Sequence, residues 1–216
     1  MTGRELMVPE GDGFRVIETF GWDGRRFPRL AMHMARLGRT CAALGIAWEP
    51  MAVMVRLDAL PDRAPLRVRV TVDRRGGVEV SHGAVEPVAG PWRVALAAER
   101  LVAADPWLRV KTTERALYDG ARAALPAGVD EVLFANEHGE VCEGAITTVF
   151  FDAGAGLCTP PVASGLLPGV LRAEMLAAGQ CREAVLMVAD LGRVRLWLGN
   201  SLRGMSGAES VEKGAV

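Results

Sequence analysis

The stretch that decides the fold is Glu131-Val132-Leu133-Phe134-Ala135-Asn136-Glu137-His138-Gly139-Glu140-Val141-Cys142-Glu143-Gly144-Ala145-Ile146-Thr147-Thr148-Val149-Phe150-Phe151. Two β-prone runs flank the tight turn Asn136-Glu137-His138-Gly139, and a third follows directly through Gly144. Three strands joined by short turns must lie antiparallel, because a parallel crossover needs a dozen or more residues. A doubly wound sheet of alternating strands and helices is therefore not expected here.

Working outward, the same hairpin logic applies upstream. Leu66-Arg67-Val68-Arg69-Val70-Thr71-Val72 alternates with period two, turns at Asp73-Arg74-Arg75-Gly76-Gly77 and resumes at Val78-Glu79-Val80. Val16, Ile17, Thr19 and Phe20 form a further short run, and Trp22-Asp23-Gly24-Arg25 reads as a hairpin turn. Met34, Leu37, Cys41 and Leu44 recur at helical spacing from Leu30 to a Gly45 cap. Trp92 to Leu96 reads as one more strand of this first region, and 98–108 has no clear period. A helix is expected from Thr113 to Leu125, another from Val170 to Ala178, a last strand from Val194 to Leu198, and a frayed tail from Gly207. The expected class is α+β, two small domains, each an antiparallel sheet with packed helices: residues 1–98, a linker 99–108, and 109–216.

Composition narrows the function. The 216 residues carry 25 Lys+Arg against 26 Asp+Glu, a net charge of −1. Such a balance offers no long-range positive field to gather phosphates, so no nucleic-acid partner is expected. No apolar run nears the roughly 20 residues that span a bilayer, and no leader-like N-terminus is evident. The expectation is a cytoplasmic protein without a membrane partner. Cys41, Cys142, Cys158 and Cys181 are scattered without ligand spacing, and His33, His82 and His138 are far apart, so reduced buried thiols and no metal site are expected.

Three features carry chemistry. Lysine occurs twice, at Lys111 and Lys213, in a chain whose cations are otherwise arginine. A mid-chain lysine that arginine has not replaced points to an amine that must lose its proton or form a Schiff base. Glu143 precedes Gly144 at a strand junction, where a glycine permits a bulge or a close backbone approach. Leu167-Pro168-Gly169-Val170-Leu171 opens a helix whose free N–H groups at Val170 and Leu171 suit a phosphate, and Arg36, on the polar edge of the first helix, can add a bidentate contact.

Taken in order, these blocks resemble the class IV aminotransferase family, the fold-type IV pyridoxal 5′-phosphate enzymes. The resemblance runs through Glu18-Thr19-Phe20, His33-Met34-Ala35-Arg36-Leu37, Lys111-Thr112-Thr113-Glu114-Arg115, Glu143 to Phe150, Leu167 to Arg172, and Gly199-Asn200-Ser201-Leu202-Arg203-Gly204. It implies a D-amino-acid aminotransferase-like fold and pyridoxal 5′-phosphate as cofactor. Lys111 would bind the cofactor and act as base. Glu143 would pair with the pyridine nitrogen. Arg36, Val170, Leu171, Asn200 and Ser201 would hold the phosphate, and Thr147 and Thr148 would line the cofactor. Thr19, Arg115 and Arg203 would meet a small substrate, an amine or amino acid with a carboxylate. The family also implies a homodimer. The Asn-Ser-Leu-Arg-Gly ending and Arg115 look most like 4-amino-4-deoxychorismate lyase, a lyase of folate biosynthesis that releases pyruvate and p-aminobenzoate. Branched-chain or D-amino-acid transamination is the alternative reaction, and a non-catalytic cofactor-binding homologue a third reading.

Overall fold

The computed structural model describes residues 5–61, 63–86 and 90–211. The chain divides into two compact units. The first holds the residues up to 87 together with Val110–Glu114; the second holds 88–109 and everything from Arg115 onward.

In the first unit, β1 (Arg15–Trp22), β2 (Leu66–Asp73) and β3 (Val78–Ala84) form an antiparallel sheet in the order β1-β2-β3. The alternation of β2 is realised: Leu66, Val68, Val70 and Val72 are buried and Arg67 is exposed. Helix α1 (Leu30–Ala43) buries Leu37 and Cys41. Asp23 caps the turn after β1 by accepting from the N–H groups of Arg25 and Arg26. That turn delivers the chain into α1 and not into a neighbouring strand, so the Asp-Gly hairpin expected there does not form. Helix α2 (Pro50–Asp58), with Glu49 capping Met51 N–H, has no counterpart in the sequence reading. Val53 and Leu57 are its buried residues, while exposed Met51 and Val55 blur its apolar stripe.

The second unit contains β4 (Trp92–Leu101), α3 (Ala116–Ala123), β5 (Glu131–Asn136), β6 (Val141–Gly144), β7 (Thr148–Asp152), β8 (Cys158–Thr159), α4 (Val170–Ala177), β9 (Arg182–Glu183), β10 (Arg195–Asn200) and β11 (Gly204–Ser210). Its sheet runs β10-β11-β4-β5-β6-β7-β8-β9, and β10 also pairs with β7. Six strands therefore close on themselves as a barrel. Val94, Leu133, Val141, Val149 and Leu198, one from each of five strands, fill one buried cluster. Phe134 and Phe150 point the other way, toward Tyr118 of α3 and toward Leu171 and Met175 of α4.

The α+β class with two units holds, with three corrections. First, β4 does not extend the first sheet; it pairs in parallel with β5 and β11, and so moves the division from 98 to 87/88. The expected linker 99–108 begins inside β4. A register shift between Leu96 and Arg100 marks a bulge, which destroys the alternation that would have carried the Trp92–Leu96 strand on to Leu101. Second, the sheet of this unit is mixed, with parallel pairs at β11–β4, β4–β5 and β8–β9. Third, residues 207–210 are strand and not frayed tail, because β11 is held on both edges by β10 and β4; the tail beyond 211 lies outside the described residues. Helix α3 is shorter than Thr113 to Leu125, since Thr112 and Thr113 are used along β1. All four cysteines are free and buried, and burial pushes the Cys142 thiol up to about 12. No helix among the described residues is long and apolar enough to cross a membrane.

Candidate active site

In the first unit, β1 and α1 bring three ionisable side chains together in the interior. Arg36 donates from Nε to Glu18 Oε1 at 2.7 Å and from Nη2 to Oε2 at 2.8 Å. His33 Nδ1 lies 2.6 Å from Oε2. Glu18 and His33 are 1% exposed and Arg36 is 6%. Helical spacing explains the meeting, because residues 33 and 36 share the face of α1 that looks onto β1. Burial works to raise the Glu18 pKa. The hydrogen bonds and charges of Arg36 and then His33 overcome this and hold the carboxyl below its usual range. Burial likewise lowers the His33 pKa, against the hydrogen bond and charge of Glu18 and with help from the charges of Arg36 and Lys111.

Arg36 was expected on the polar edge of the first helix, as a contact for a phosphate. It is buried instead, because Glu18 neutralises it, and the histidine read as isolated belongs to the same cluster.

Lys111 sits half-buried on a short segment that runs antiparallel along the free edge of β1. Its carbonyl accepts from Ile17 N–H at 2.8 Å, Val16 bridges Thr112, and Thr113 N–H donates to Arg15 O. The lysine backbone is thus fixed by sheet hydrogen bonds. Thr19 is half-buried on β1, opposite Arg69 in the register.

In the second unit, Glu143 occupies the buried strand β6. Tyr118 of α3 donates its hydroxyl to Oε1 at 2.7 Å, and Leu167 N–H donates to Oε2 at 3.1 Å. The turn that follows is tight. A Cβ on Gly144 would lie 2.2 Å from Thr147 Oγ1 and 3.1 Å from Glu131 Cγ, so only glycine fits. Glu131, wholly buried, accepts from the N–H groups of Val132 and Ile146 and from Thr147 Oγ1, each at 3.1 Å, with Arg122 Nη1 at 3.4 Å. It anchors residues 145–147 from below. Burial raises its pKa despite these donors.

The same turn reaches two further elements. A Cβ on Gly169 would stand 2.6 Å from Thr148 Oγ1, which places that hydroxyl at the mouth of α4, where Gly169 provides no side-chain cap for Val170 and Leu171. Asn200 Nδ2 donates to Ile146 O at 3.2 Å, while its Oδ1 accepts from Leu202 and Arg203 N–H. Thr147, Thr148, Val170, Leu171, Asn200 and half-buried Ser201 are therefore gathered by one turn and two neighbouring element ends. Arg203 is half-buried on the Asn200 turn. Arg115 is directed inward: Nε donates to Asp119 Oδ1 at 2.7 Å and Nη2 to Ala145 O at 2.9 Å, tying α3 to the same turn.

Sequence reasoning missed Tyr118 and Glu131 and gave no role to the Glu18–His33 contact. The available signals were that Tyr118 is the sole tyrosine and that Glu131 opens an otherwise apolar strand.

The pattern described as amino-transferase class IV matches residues 15–211, nearly the whole chain. This chain belongs to the class IV aminotransferase family. A curated relative from Schizosaccharomyces pombe, named "Putative aminodeoxychorismate lyase", is 28% identical over 175 residues, covering 78% of this chain and 75% of the relative. The crystal structure of a "Putative amino-acid aminotransferase from Mesorhizobium loti" is 43% identical, covers 92% of this chain and 100% of that one, and superposes with a TM-score of 0.87. A branched-chain aminotransferase from Thermoproteus uzoniensis, 20% identical over 94% of this chain and 81% of its own, shares the fold with a TM-score of 0.80.

Class IV aminotransferases depend on pyridoxal 5′-phosphate, and so does this enzyme. The donor set fits that group. An uncapped helix start with a hydroxyl at its mouth suits a phosphate, and a buried carboxylate held by two neutral donors suits a protonated ring nitrogen.

Proposed function

We propose that this class IV enzyme is a lyase of the 4-amino-4-deoxychorismate type, releasing pyruvate and p-aminobenzoate. The observation that carries the reading is the Asn200 turn. One side chain accepts from two successive backbone N–H groups and fixes the backbone that presents Arg203, a planar fork suited to a substrate carboxylate. The name of the Schizosaccharomyces pombe relative supports the same reading.

When bound, pyridoxal phosphate supplies an aldehyde for an amine and a protonated ring that takes up the electrons of a breaking C–H bond. The protein supplies the remaining functions. The Glu143 carboxylate accepts the hydrogen bond of the ring nitrogen and keeps its proton in place. The N–H groups of Val170 and Leu171, with Asn200 and Ser201, hold the phosphate; Thr147 and Thr148 line the cofactor. Arg36, whose guanidinium Glu18 orients, would be the cation offered to that phosphate. Lys111 Nζ receives the ring proton of the substrate. The enolpyruvyl ether bond breaks, the leaving enolate takes up the proton carried by Lys111 Nζ and departs as pyruvate, and the remaining ring becomes aromatic. Thr19 and Arg203 orient the substrate, while Arg115 braces the 145–147 turn in this scheme. We also propose a homodimer, to be checked by light scattering.

Transamination is the second reading, favoured by the Mesorhizobium loti relative. There Lys111 Nζ would move a proton from the substrate Cα. One assay separates them. Protein incubated with aminodeoxychorismate alone should yield pyruvate and p-aminobenzoate. Glutamate formed from D-alanine or leucine with 2-oxoglutarate, and no p-aminobenzoate, would replace the lyase by the transaminase. Lys111→Arg should fold and keep its charge but lose both turnover and the cofactor absorbance that borohydride makes permanent. Normal turnover in that variant would refute Lys111 as the base.

A further inference from the structure

Tyr118 is the only tyrosine in the chain, and the reaction above gives it no part. Its ring stands edge-on to Phe134, with centroids 4.8 Å apart at 63°, and the Arg115 guanidinium lies 5.7 Å from its centroid. The hydroxyl is therefore aimed by a ring that is itself wedged in place. It meets Glu143 Oε1 at 2.7 Å, while Leu167 N–H holds Oε2 at 3.1 Å. One rigid donor on each oxygen fixes the plane of the carboxylate. The bond is part of a wider pattern, because Arg115, Tyr118 and Arg122 all reach from α3 or its cap to Ala145 O, Glu143 and Glu131. Burial above all, then the charge and hydrogen bond of Glu143, raise the phenol pKa, so the hydroxyl stays a donor.

We propose that Tyr118 is a positioning residue for Glu143, holding its carboxylate ionised and oriented for the ring nitrogen of the cofactor. This inference rests on Glu143 serving that nitrogen, as in the reading above. A hydrogen bond to the charged form of an acid stabilises that form and weakens its hold on a proton. With the phenol in place, the shared proton stays on the heterocycle, where it is needed to draw electrons. Without it, Glu143 becomes the better base and the ring a poorer sink. The effect falls on the chemical step and not on substrate binding.

The sole tyrosine makes the test specific. In protein labelled with ¹³Cζ-tyrosine, one resonance reports this hydroxyl, and it should move clearly between wild type and Glu143→Gln, with or without cofactor. Tyr118→Phe keeps the ring against Phe134 and removes only the donor. It should fold with at most a slightly lowered unfolding midpoint, retain its cofactor, keep KM nearly unchanged, and lose about tenfold in kcat for whichever of the two reactions the wild type performs, a loss at the low end for a hydrogen bond to a charged group. A resonance indifferent to Glu143→Gln, or wild-type kcat in Tyr118→Phe, overturns the proposal. If Tyr118→Phe does not fold, the resonance alone decides. A wild-type protein that develops no borohydride-fixable absorbance with added pyridoxal phosphate defeats the functional reading instead, and the resonance still reports whether the phenol and the carboxylate are coupled.

Discussion

Each unit hides one glutamate completely, and the two are pushed in opposite directions. Glu18 is 1% exposed and its pKa is lowered; Glu131 is 0% exposed and its pKa is raised. Depth is the same, so depth does not decide the charge. Glu18 faces a bidentate guanidinium and an imidazole at 2.6–2.8 Å. Glu131 faces two amides and a hydroxyl, with its one guanidinium contact at 3.4 Å. At Glu18 a close guanidinium overcomes desolvation; at Glu131 the neutral donors present do not. The first arrangement makes an ion pair that fixes a cation; the second makes a brace for a turn.

The sharpest way to break this contrast is Glu18→Ala. It leaves the Arg36 guanidinium buried without its counter-ion, and stability should fall by about 3–5 kcal/mol in urea titration. A loss no larger than that of a surface substitution would mean that Arg36 finds other solvation.

The next test is pH. The folded pKa of Glu18 lies below its unfolded value, so wild type should hold its full advantage over Glu18→Gln above about pH 4.3 and lose it as pH falls through the depressed value. Glu131 behaves in reverse. Its stabilising contribution is complete below about pH 4.3 and is lost as pH rises through the raised value. The urea midpoints of wild type minus each Gln variant, followed against pH, should slope with opposite signs. Equal signs would erase the distinction.

The smallest expected effect comes from Thr147→Val, which removes one neutral donor from Glu131 at nearly constant volume. A melt should register a loss of about 1 kcal/mol, with no change in the pH slope assigned to Glu18.

Much of this architecture could be read where period and position agree. The β5–β6–β7 meander, the β2–β3 hairpin, α1, α4 and β10 stand where their patterns place them: β2 and α1 each bury one face at a regular repeat, while β5, β6 and β7 are short apolar runs buried on both faces and bounded by turns. Two elements, and the second half of a third, were illegible for identifiable reasons. The bulge after Leu96 breaks the alternation of β4. Exposed Met51 and Val55 disguise α2. Gly204, Ser206 and Gly207 give β11 little strand propensity of its own, and its identity comes from pairing on both edges.

The candidate site divides similarly. Lys111 stood out by rarity, Glu143 by the glycine beside it, and the α4 start by Pro-Gly. Glu18 with His33, and Glu143 with Tyr118, are partners 15 and 25 positions apart, and local pattern contains nothing that would join them before strand register and helix docking are known.

The first unit is discontinuous, and this has a practical consequence for dissecting the protein. Five residues, Val110–Glu114, leave the sequence of the second unit to line the edge of β1 and then return. Any gene fragment cut near residue 98 would separate the amine from the sheet that steadies it. A faithful excision of that unit would need 110–114 supplied as a separate peptide or spliced on through a designed loop, and the exposed strand edge of the shorter fragment would be open to unwanted self-association.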